Sequence, residues 1–318
     1  MDGTGEEIKH PVDPPPTPEL PSTDYDISSL GYADQFNAQP LEVKLNDQGS
    51  NELSGIAASQ LNSGLYYMHN DSDQSAIIVN NAKGELVARL ILDGVKISDP
   101  EDISVAPGPI KGKSYIYYAG IGDNNKTKST ISVFRLEEPD LSTVAAGSTL
   151  HISQVEELKL AYPQLPYNAE TLLVDPLTLD MYIATKEVNR STIFKASYPQ
   201  STTEVNNLTP VLLMRFFDLF TSGDISADGK GILLRNKSQI WYWERDPAQS
   251  VEKTLTLAPK MAPYAGNEHQ GEGISFMADA KGYVTNTETR DYPGAVSMLS
   301  FYQYTTRLEG GWLVINVG

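Results

Sequence analysis

Five short segments of the sequence pair an acidic residue with an apolar run, and carboxylates arranged in this way can hold a metal ion or transfer protons. The acids that stand first or second in these segments are Glu52, Glu101, Glu170, Asp224 and Glu272. The segments align without gaps and recur roughly every 50 residues, with one longer interval of roughly 70 after Glu101. The repeat predicts that the five carboxylates occupy equivalent positions in five copies of one structural unit.

The unit that positions these acids has the pattern of a four-stranded β-sheet. After Glu170 the sequence gives a turn and then β-rich runs over 181–185, 191–196 and 211–217, separated by Asp, Pro, Gly and Asn. Repeats of roughly 40–50 residues made of four short strands are typical of propeller blades. We therefore predict an all-β fold, a β-propeller of four-stranded blades, with five blades and with six as the alternative. The longer interval holds either an extra outer strand at 151–160 or the edge of a sixth blade.

The chain has 318 residues, of which 25–318 are predicted to form a single propeller domain. Residues 1–24 are rich in Pro and acidic residues and contain little that can pack, which predicts a disordered leader. Propellers close their ring by pairing a strand from one terminus with strands from the other. The alternating run 41–45 or the apolar run 312–317 is expected to supply that closing strand.

Blade geometry predicts where the polar residues of the repeats meet. The first strand of a blade lines the central channel and the second runs antiparallel beside it, so the start of the first and the end of the second share one face. The polar residues at the ends of the second strands are His69, Asp71, Asp123, Lys186, Arg235 and Glu288. We expect them to join the five acids at one mouth of the channel.

The carboxylates of this mouth are candidate metal ligands, namely Glu52, Asp71, Glu101, Asp123, Glu170, Asp224 and Glu272. Converging carboxylates repel one another, and Ca²⁺, which accepts 6–8 oxygen ligands, neutralises them most simply. Ion pairs with Lys186 and Arg235 are the alternative, and these two residues and His69 are the candidate ligand-binding residues. In a purely structural role, each acid would instead accept backbone N–H bonds from the neighbouring blade.

Six motifs stand in a fixed order along the chain, at 69–71, 101–103, 121–124, 168–176, 223–226 and 270–272. They read His-Asn-Asp, Glu-Asp-Ile, Ile-Gly-Asp-Asn, Asn-Ala-Glu-Thr-Leu-Leu-Val-Asp-Pro, Gly-Asp-Ile-Ser and Gln-Gly-Glu. Together they resemble a family of largely uncharacterised, usually secreted β-propeller proteins, over about residues 50 to 290. The resemblance implies the fold and says little about activity. One departure is Gly120, where the family commonly has Asp.

Composition excludes several classes of protein. The formal net charge of −17 argues against a nucleic-acid partner, because phosphate binding depends on clustered Lys and Arg. The absence of Cys excludes disulfides, thiolate chemistry and Cys-ligated zinc. No run approaches the roughly 18 apolar residues of a membrane helix. The leader is similar to the spacer of a mature bacterial lipoprotein, with Met1 replacing the lipid-anchored Cys, which predicts an extracellular, periplasmic or cell-surface location.

Two classes of function remain. The first is an extracytoplasmic calcium-binding propeller, a monomeric ligand-binding or surface-interaction module that presents its mouth to a small anionic molecule, a glycan or a protein. The second is a metal-dependent hydrolase acting on a phosphoester, ester or lactone, with Glu101, Glu272 and His269 as catalytic candidates. A Ser-His-Asp triad is poorly supported, because the chain has four His and lacks a Gly-x-Ser-x-Gly motif.

Overall fold

The computed structural model describes residues 19–46, 49–72, 76–215, 217–266, 268–308 and 311–313. Its strands, in chain order, are β1 (Leu41–Lys44), β2 (Leu53–Ala58), β3 (Leu65–Asn70), β4 (Ala76–Asn81), β5 (Leu86–Leu92), β6 (Asp102–Pro107), β7 (Ser114–Gly120), β8 (Ile131–Glu137), β9 (Ser148–Ile152), β10 (Glu156–Ala161), β11 (Ala169–Val174), β12 (Met181–Thr185), β13 (Arg190–Ala196), β14 (Asn206–Asn207), β15 (Thr209–Arg215), β16 (Ser222–Ile225), β17 (Gly231–Arg235), β18 (Ile240–Glu244), β19 (Lys260–Ala262), β20 (Gln270–Phe276), β21 (Gly282–Glu288), β22 (Met298–Gln303), β23 (Thr306–Leu308) and β24 (Gly311–Leu313). A 3₁₀-helix at Ile27–Ser29 and the helix α1 at Val251–Leu255 are the helical segments among the described residues. None of the helices in this part of the chain has the length and apolar character that a membrane crossing requires.

The strands form five small sheets arranged around one axis as a five-bladed β-propeller, which confirms the predicted fold class. Blade 1 contains β2, β3, β4, β5 and β9, and blade 2 contains β6, β7, β8, β10 and β14. Blade 3 contains β11, β12, β13 and β15, blade 4 contains β16 to β19, and blade 5 contains β20, β21, β22 and β1. The first strands of the blades (β2, β6, β11, β16 and β20) contact one another in sequence and close the inner ring.

The long interval between the second and third repeats belongs to existing blades, so the six-blade alternative is wrong. Its second half contains two strands, of which β9 pairs in parallel with β5 and β10 pairs antiparallel with β8. The extra outer strand predicted at 151–160 is therefore divided between blades 1 and 2.

The ring closes through the N-terminal run that the sequence predicted. Strand β1 pairs antiparallel with β22 and becomes the outer strand of blade 5. The alternative run, 312–317, does not supply the closing strand in its described part, because β24 pairs with β23 in a separate hairpin. Residues 314–317 of that run lie outside the described residues.

The segment before β1 also holds the outer edges of blades 3 and 4, which corrects the boundary of the predicted leader. Thr23 is buried, its N–H donates to Leu213 O of β15 at 3.0 Å, and Ala33 N–H donates to Met261 O of β19 at 2.9 Å. Outer strands present unpaired N–H and C=O groups, and these contacts satisfy part of them. Residues 19–24 thus belong to the domain, whereas the rest of the predicted leader, 1–18, lies outside the described residues.

Apolar side chains fill the five interfaces between adjacent blades. Alternate residues of one strand face opposite neighbours, as Ile116 packs between blades 1 and 2 while Tyr117 packs between blades 2 and 3. Both faces of each blade are buried, so the strands read as continuous apolar runs, and the side-chain period of two divides them between two cores. This stacking fixes the inner strands and so the geometry of the channel mouth.

Candidate functional site

A polar cavity of about 110 Å³ opens where the inner strands begin and the second strands end. Seven carboxylates and two lysines line this mouth, with Leu53, Ser54 and the amides Asn124 and Gln270: Glu52, Asp71, Asp99, Glu101, Glu170, Glu272, Glu288, Lys186 and Lys237. Five of the seven predicted metal ligands therefore lie together, and Lys186 lies with them. Asp123, Asp224, His69, Arg235 and His269 do not line the cavity.

The gapless alignment of the five repeats is wrong in blade 4. In blade 2 the N–H of Glu101 donates to Ala119 O at 2.9 Å, and in blade 4 the corresponding bond runs from Thr221 N–H to Arg235 O at 3.0 Å. Thr221 thus stands where Glu101 stands, and Asp224 lies three residues deeper in the channel. Blade 4 consequently contributes no carboxylate at this position.

The alignment is also shifted in blade 1. A β-bulge over Ser54–Gly55, between the pairs Leu53↔Asn70 and Ile56↔Met68, matches the bulge over Glu272–Gly273 in blade 5. Ser54 is therefore the counterpart of Glu272, and Glu52 lies two residues earlier. Glu52 still reaches the mouth, where it pairs with Arg290 at 2.7 Å.

Two aspartates deeper in the channel perform the blade-locking role that was considered for the leading acids. Asp102 is completely buried and accepts bonds from Ile103 N–H at 3.0 Å, Leu172 N–H of blade 3 at 2.9 Å and Ser222 Oγ–H of blade 4 at 3.0 Å. Burial raises the pKa of Asp102, and the three hydrogen bonds that its oxygens accept oppose the rise. We call Asp102 and Asp224 the axial acids.

Asp224, a predicted metal ligand, lies outside the cavity, and both of its oxygens have protein donors. They accept bonds from Ile225 N–H at 2.9 Å, Phe276 N–H of blade 5 at 2.8 Å and Ser275 Oγ–H at 3.0 Å. Burial raises the pKa of Asp224 to about 7, while these donors oppose the shift.

Asp123, another predicted metal ligand, organises a turn next to the mouth. Its carboxylate accepts a bond from Lys128 N–H at 2.7 Å, and its own N–H donates to Asn168 Oδ1 at 2.7 Å. The amide of Asn168 donates to Asn124 Oδ1 at 3.1 Å. The Ile-Gly-Asp-Asn and Asn-Ala-Glu-Thr motifs thus lock together, and they place Asn124 at the mouth.

The two histidines and the arginine predicted at the mouth have other roles. His69 is completely buried, and its Nε2 accepts a bond from Gly55 N–H at 3.1 Å; burial lowers its pKa to about 4, so the ring is neutral. Arg235 is completely buried and pairs with Glu268 at 2.7 Å. His269 is exposed and stacks on Tyr292, with ring centroids 4.8 Å apart.

Three carboxylates on the side of blades 1 and 2 form the one group with metal-ligand spacing among the described residues. One oxygen each from Asp71, Asp99 and Glu101 lies within 4.8 Å of the other two. Asp71 follows β3, and Glu101 directly precedes β6. Asp99 has φ of 60°, a left-handed conformation that is unfavourable for most side chains but is tolerated by Asp. We call these residues the acidic trio.

Among the three acids of the trio, Glu101 is the one whose burial is least offset by hydrogen bonds or ion pairs. Its residue is 6% exposed, and its carboxylate has no hydrogen bond or ion pair with any described residue. A Cβ at Gly122 would come within 2.1 Å of Glu101 Oε1, so the absence of a side chain there makes room for the carboxylate. Burial and the charges of Glu170, Asp71 and Asp99 raise the pKa of Glu101 far above its ordinary value.

The other carboxylates of the mouth have cationic partners. Lys186 Nζ donates to Glu170, and Lys237 Nζ lies 3.7 Å from Glu272. Arg290 contacts Glu52 at 2.7 Å and Glu288 at 3.2 Å. Burial and the charge of Glu170 raise the pKa of Glu272 to about 7. Within the trio, Lys128 Nζ lies 3.7 Å from Asp99 Oδ2, so Asp71 and Glu101 are the carboxylates of the mouth without an ion pair among the described residues.

Sequence reasoning missed Asp99 and Lys237. A signal for Asp99 was present, because it stands two residues before Glu101, as Glu52 does before Ser54. Lys237 lies between β17 and β18, and nothing in its sequence context marks it.

A larger groove of about 1,010 Å³ lies at the rim of blades 4 and 5, against the segment that precedes β1. Its walls include Phe36, Ile240 and Tyr264. It contains none of the predicted site residues and no cluster with metal-ligand spacing among the described residues.

No protein-family model and no curated protein matches the chain. Among solved structures, the chain is similar to the structure of U3-55K, with 10% identity over 79% of this chain and 67% of that chain, at a TM-score of 0.36. It is also similar to the crystal structure of a nidogen/laminin complex, with 14% identity over 74% of this chain and 72% of that chain, at a TM-score of 0.40. Likenesses at these TM-scores carry no argument about function, so the geometry of the mouth has to support any proposal.

Proposed function

We propose that this chain is an extracytoplasmic calcium-binding β-propeller, a ligand-binding or surface-interaction module whose central mouth holds the ion. The observation that carries the proposal is the buried carboxylate of Glu101, which lacks a partner among the described residues and lies with Asp71 and Asp99 at ligand spacing. An unpaired buried charge costs several kcal/mol, and a bound cation removes that cost.

The donor set favours calcium over other common metals. The trio offers only carboxylate oxygens, which are ligands for hard cations, and neither Cys nor any described His contributes to the cavity. Three carboxylates supply between three and six oxygens, whereas Ca²⁺ takes roughly 6–8, so coordination positions are left for water or for a group of a ligand. That incomplete coordination suits a module that recognises its partner through the ion.

The first test is thermal unfolding in EDTA and after addition of Ca²⁺ or Mg²⁺. A ligand that binds only the folded state stabilises it by about 2.7 kcal/mol at a concentration of 100 Kd. We expect a rise of the melting temperature that is larger for Ca²⁺ than for Mg²⁺. We also expect calcium in the untreated protein by elemental analysis.

The matched variants are Glu101→Gln and Glu137→Gln. The first removes one acidic group from the trio, and the second removes an exposed charge at the end of β8 that pairs with Lys113. Calcium should stabilise the Glu137 variant as much as the wild type and should stabilise the Glu101 variant little or not at all. Equal calcium shifts in both variants would contradict a site at the trio, and no shift in the wild type would contradict the proposal as a whole.

The hydrolase alternative stays a prediction with fewer candidate residues. His269 lies outside the cavity, so a general base would have to be a carboxylate, and Glu272 is the one whose pKa is raised to about 7. Turnover of a phosphoester, ester or lactone that requires calcium and is lost in Glu272→Gln with the fold retained would favour an enzyme.

A further inference from the structure

Lys186 brings a fixed positive charge into the mouth. It follows β12 directly, its N–H donates to Asn168 O at 2.9 Å, and its ammonium group bonds to Glu170. The side chain is only 19% exposed and Glu170 only 8%, so the pair lies inside the mouth and is weakly screened by solvent.

The charge of Lys186 favours the ionised form of four carboxylates, which come from four different blades. Burial raises the pKa of each of these groups, and the ammonium group opposes the rise in all four: Asp71, Glu101, Glu170 and Glu272. Burial disfavours the charged form of Lys186 itself, but Glu170, Glu272 and Glu101 outweigh it and raise its pKa. The ammonium group of Lys186 therefore acts as a cation that these carboxylates share, and it bonds directly to Glu170.

We propose that Lys186 is an internal counter-ion that limits the mouth to one divalent cation and sets its affinity, by holding Glu170 away from the acidic trio. The inference rests on the proposed function, because it concerns the same ion. Two effects follow from the charge of Lys186, and both weaken cation binding. The ammonium group satisfies Glu170, which is then unavailable as a ligand, and it repels a cation bound at the trio.

The size and charge of the mouth support a limit of this kind. Lys128, Lys186, Lys237 and Arg290 pair with carboxylates of the mouth, and together with one Ca²⁺ they balance six of the seven negative charges. The cavity of about 110 Å³ is small, and Lys186 lines it together with the trio. Removal of the ammonium group would expose Glu170 and Glu272 to the solvent cations.

The test is isothermal titration of the metal-stripped protein with CaCl₂, in the wild type and in Lys186→Met. Methionine keeps much of the length of the side chain and removes its charge. We expect one site in the wild type; in the variant we expect about tenfold tighter binding or more, with a second binding event. Unchanged affinity and a single site in the variant would overturn the inference.

The matched control is Lys195→Met in the same blade. Lys195 is also 19% exposed and also forms ion pairs, with Asp180 at 2.7 Å and Glu252 at 3.7 Å, but it does not line the mouth. Its replacement should leave the calcium affinity within twofold of the wild type. Lys186→Arg, which keeps the charge, should keep the single site.

Glu170→Gln provides a measurement that does not depend on the folding of Lys186→Met. This variant keeps the ammonium group and frees it from its partner, so that it moves toward the remaining carboxylates. We expect calcium to bind about fivefold more weakly or worse, although Glu170 is not one of the ligands. Unchanged or tighter binding in Glu170→Gln would contradict the role of the pair.

The two proposals fail in different ways. Calcium binding in the wild type with an unchanged Lys186→Met variant would overturn the counter-ion and leave the calcium site. Absence of calcium binding in the wild type with binding in Lys186→Met would overturn the proposed function and support the counter-ion. Absence of binding in both would overturn both.

Discussion

Glu101 and Asp102 are adjacent in the sequence and have opposite electrostatic environments. Both are buried, but Asp102 accepts three hydrogen bonds from three blades, whereas Glu101 has no partner among the described residues. Glu101 directly precedes β6 and lines the mouth, whereas Asp102 is the first residue of β6 and lies outside that cavity. Burial alone therefore does not distinguish a structural acid from a candidate ligand, whereas the hydrogen-bond donors around each carboxylate distinguish them.

The largest effect is expected from Asp102→Asn. The amide group presents an N–H₂ where an acceptor is needed, and it leaves buried donors of blades 3 and 4 unsatisfied. We expect the free energy of unfolding to fall by about 2–4 kcal/mol in denaturant titrations. Asp279→Asn, in an exposed turn, is the control and should change stability by less than about 0.5 kcal/mol. A loss below about 1 kcal/mol for Asp102→Asn would contradict the axial role.

Gly122→Ala tests the other acid of this pair, Glu101. The new methyl group would overlap Glu101 Oε1 and displace the carboxylate, at a cost of about 1–3 kcal/mol in folding stability. We also expect weaker calcium binding by titration calorimetry, because one ligand of the trio moves. Gly31→Ala is the control, since no atom lies within 4 Å of the added methyl there. Calcium affinity equal to that of the wild type would show that Glu101 is not needed at its present position.

Glu101→Gln is expected to change stability in the opposite direction to Asp102→Asn. In EDTA the variant no longer bears the cost of burying an acid whose pKa is raised far above its ordinary value, so its free energy of unfolding should rise by about 1–2 kcal/mol. In calcium the order should reverse, because only the wild type gains from the ion. Chemical unfolding in the two buffers measures both values. Destabilisation in EDTA would mean that Glu101 has a partner that this structure does not reveal.

The smallest effect is expected from Glu52→Gln at the edge of the mouth. Its partner Arg290 is 43% exposed, and exposed ion pairs contribute about 0–1 kcal/mol. Both the unfolding free energy and the calcium affinity should stay close to those of the wild type. A tenfold loss of calcium affinity would instead make Glu52 a ligand and extend the trio.

The repeat, and with it the fold, could be predicted from the sequence. The period, the turn residues and the short apolar runs predicted five blades, and the alternating run at 41–45 correctly predicted the closing strand. The segment 19–24 was misjudged because its proline content predicts disorder, whereas its backbone pairs with an outer strand. Such edge pairing uses backbone C=O groups, which all residues have, and the N–H groups of residues other than proline, so composition does not report it.

The register of the inner strands within the repeats could not be predicted from the sequence. Gly55 and Gly273 lie within bulges, and a gapless alignment cannot represent an extra residue on one strand. That error placed Asp224 with the leading acids and removed Ser54 and Thr221 from the same position. A shift of two residues keeps the apolar alternation intact, and the hydrophobic pattern therefore gave no warning.

The sequence by itself determined the propeller and the end of the channel at which carboxylates gather, because these follow from periodicity and strand polarity. It narrowed the blade number to five or six and the closing strand to two runs. Only the tertiary structure decided which carboxylates are satisfied. Donors to Asp102 come from residues 70 and 120 positions further along the chain, and the space for Glu101 comes from Gly122 in a neighbouring turn. Hydrogen bonding and charge compensation act over a few ångströms in space and are independent of separation along the chain.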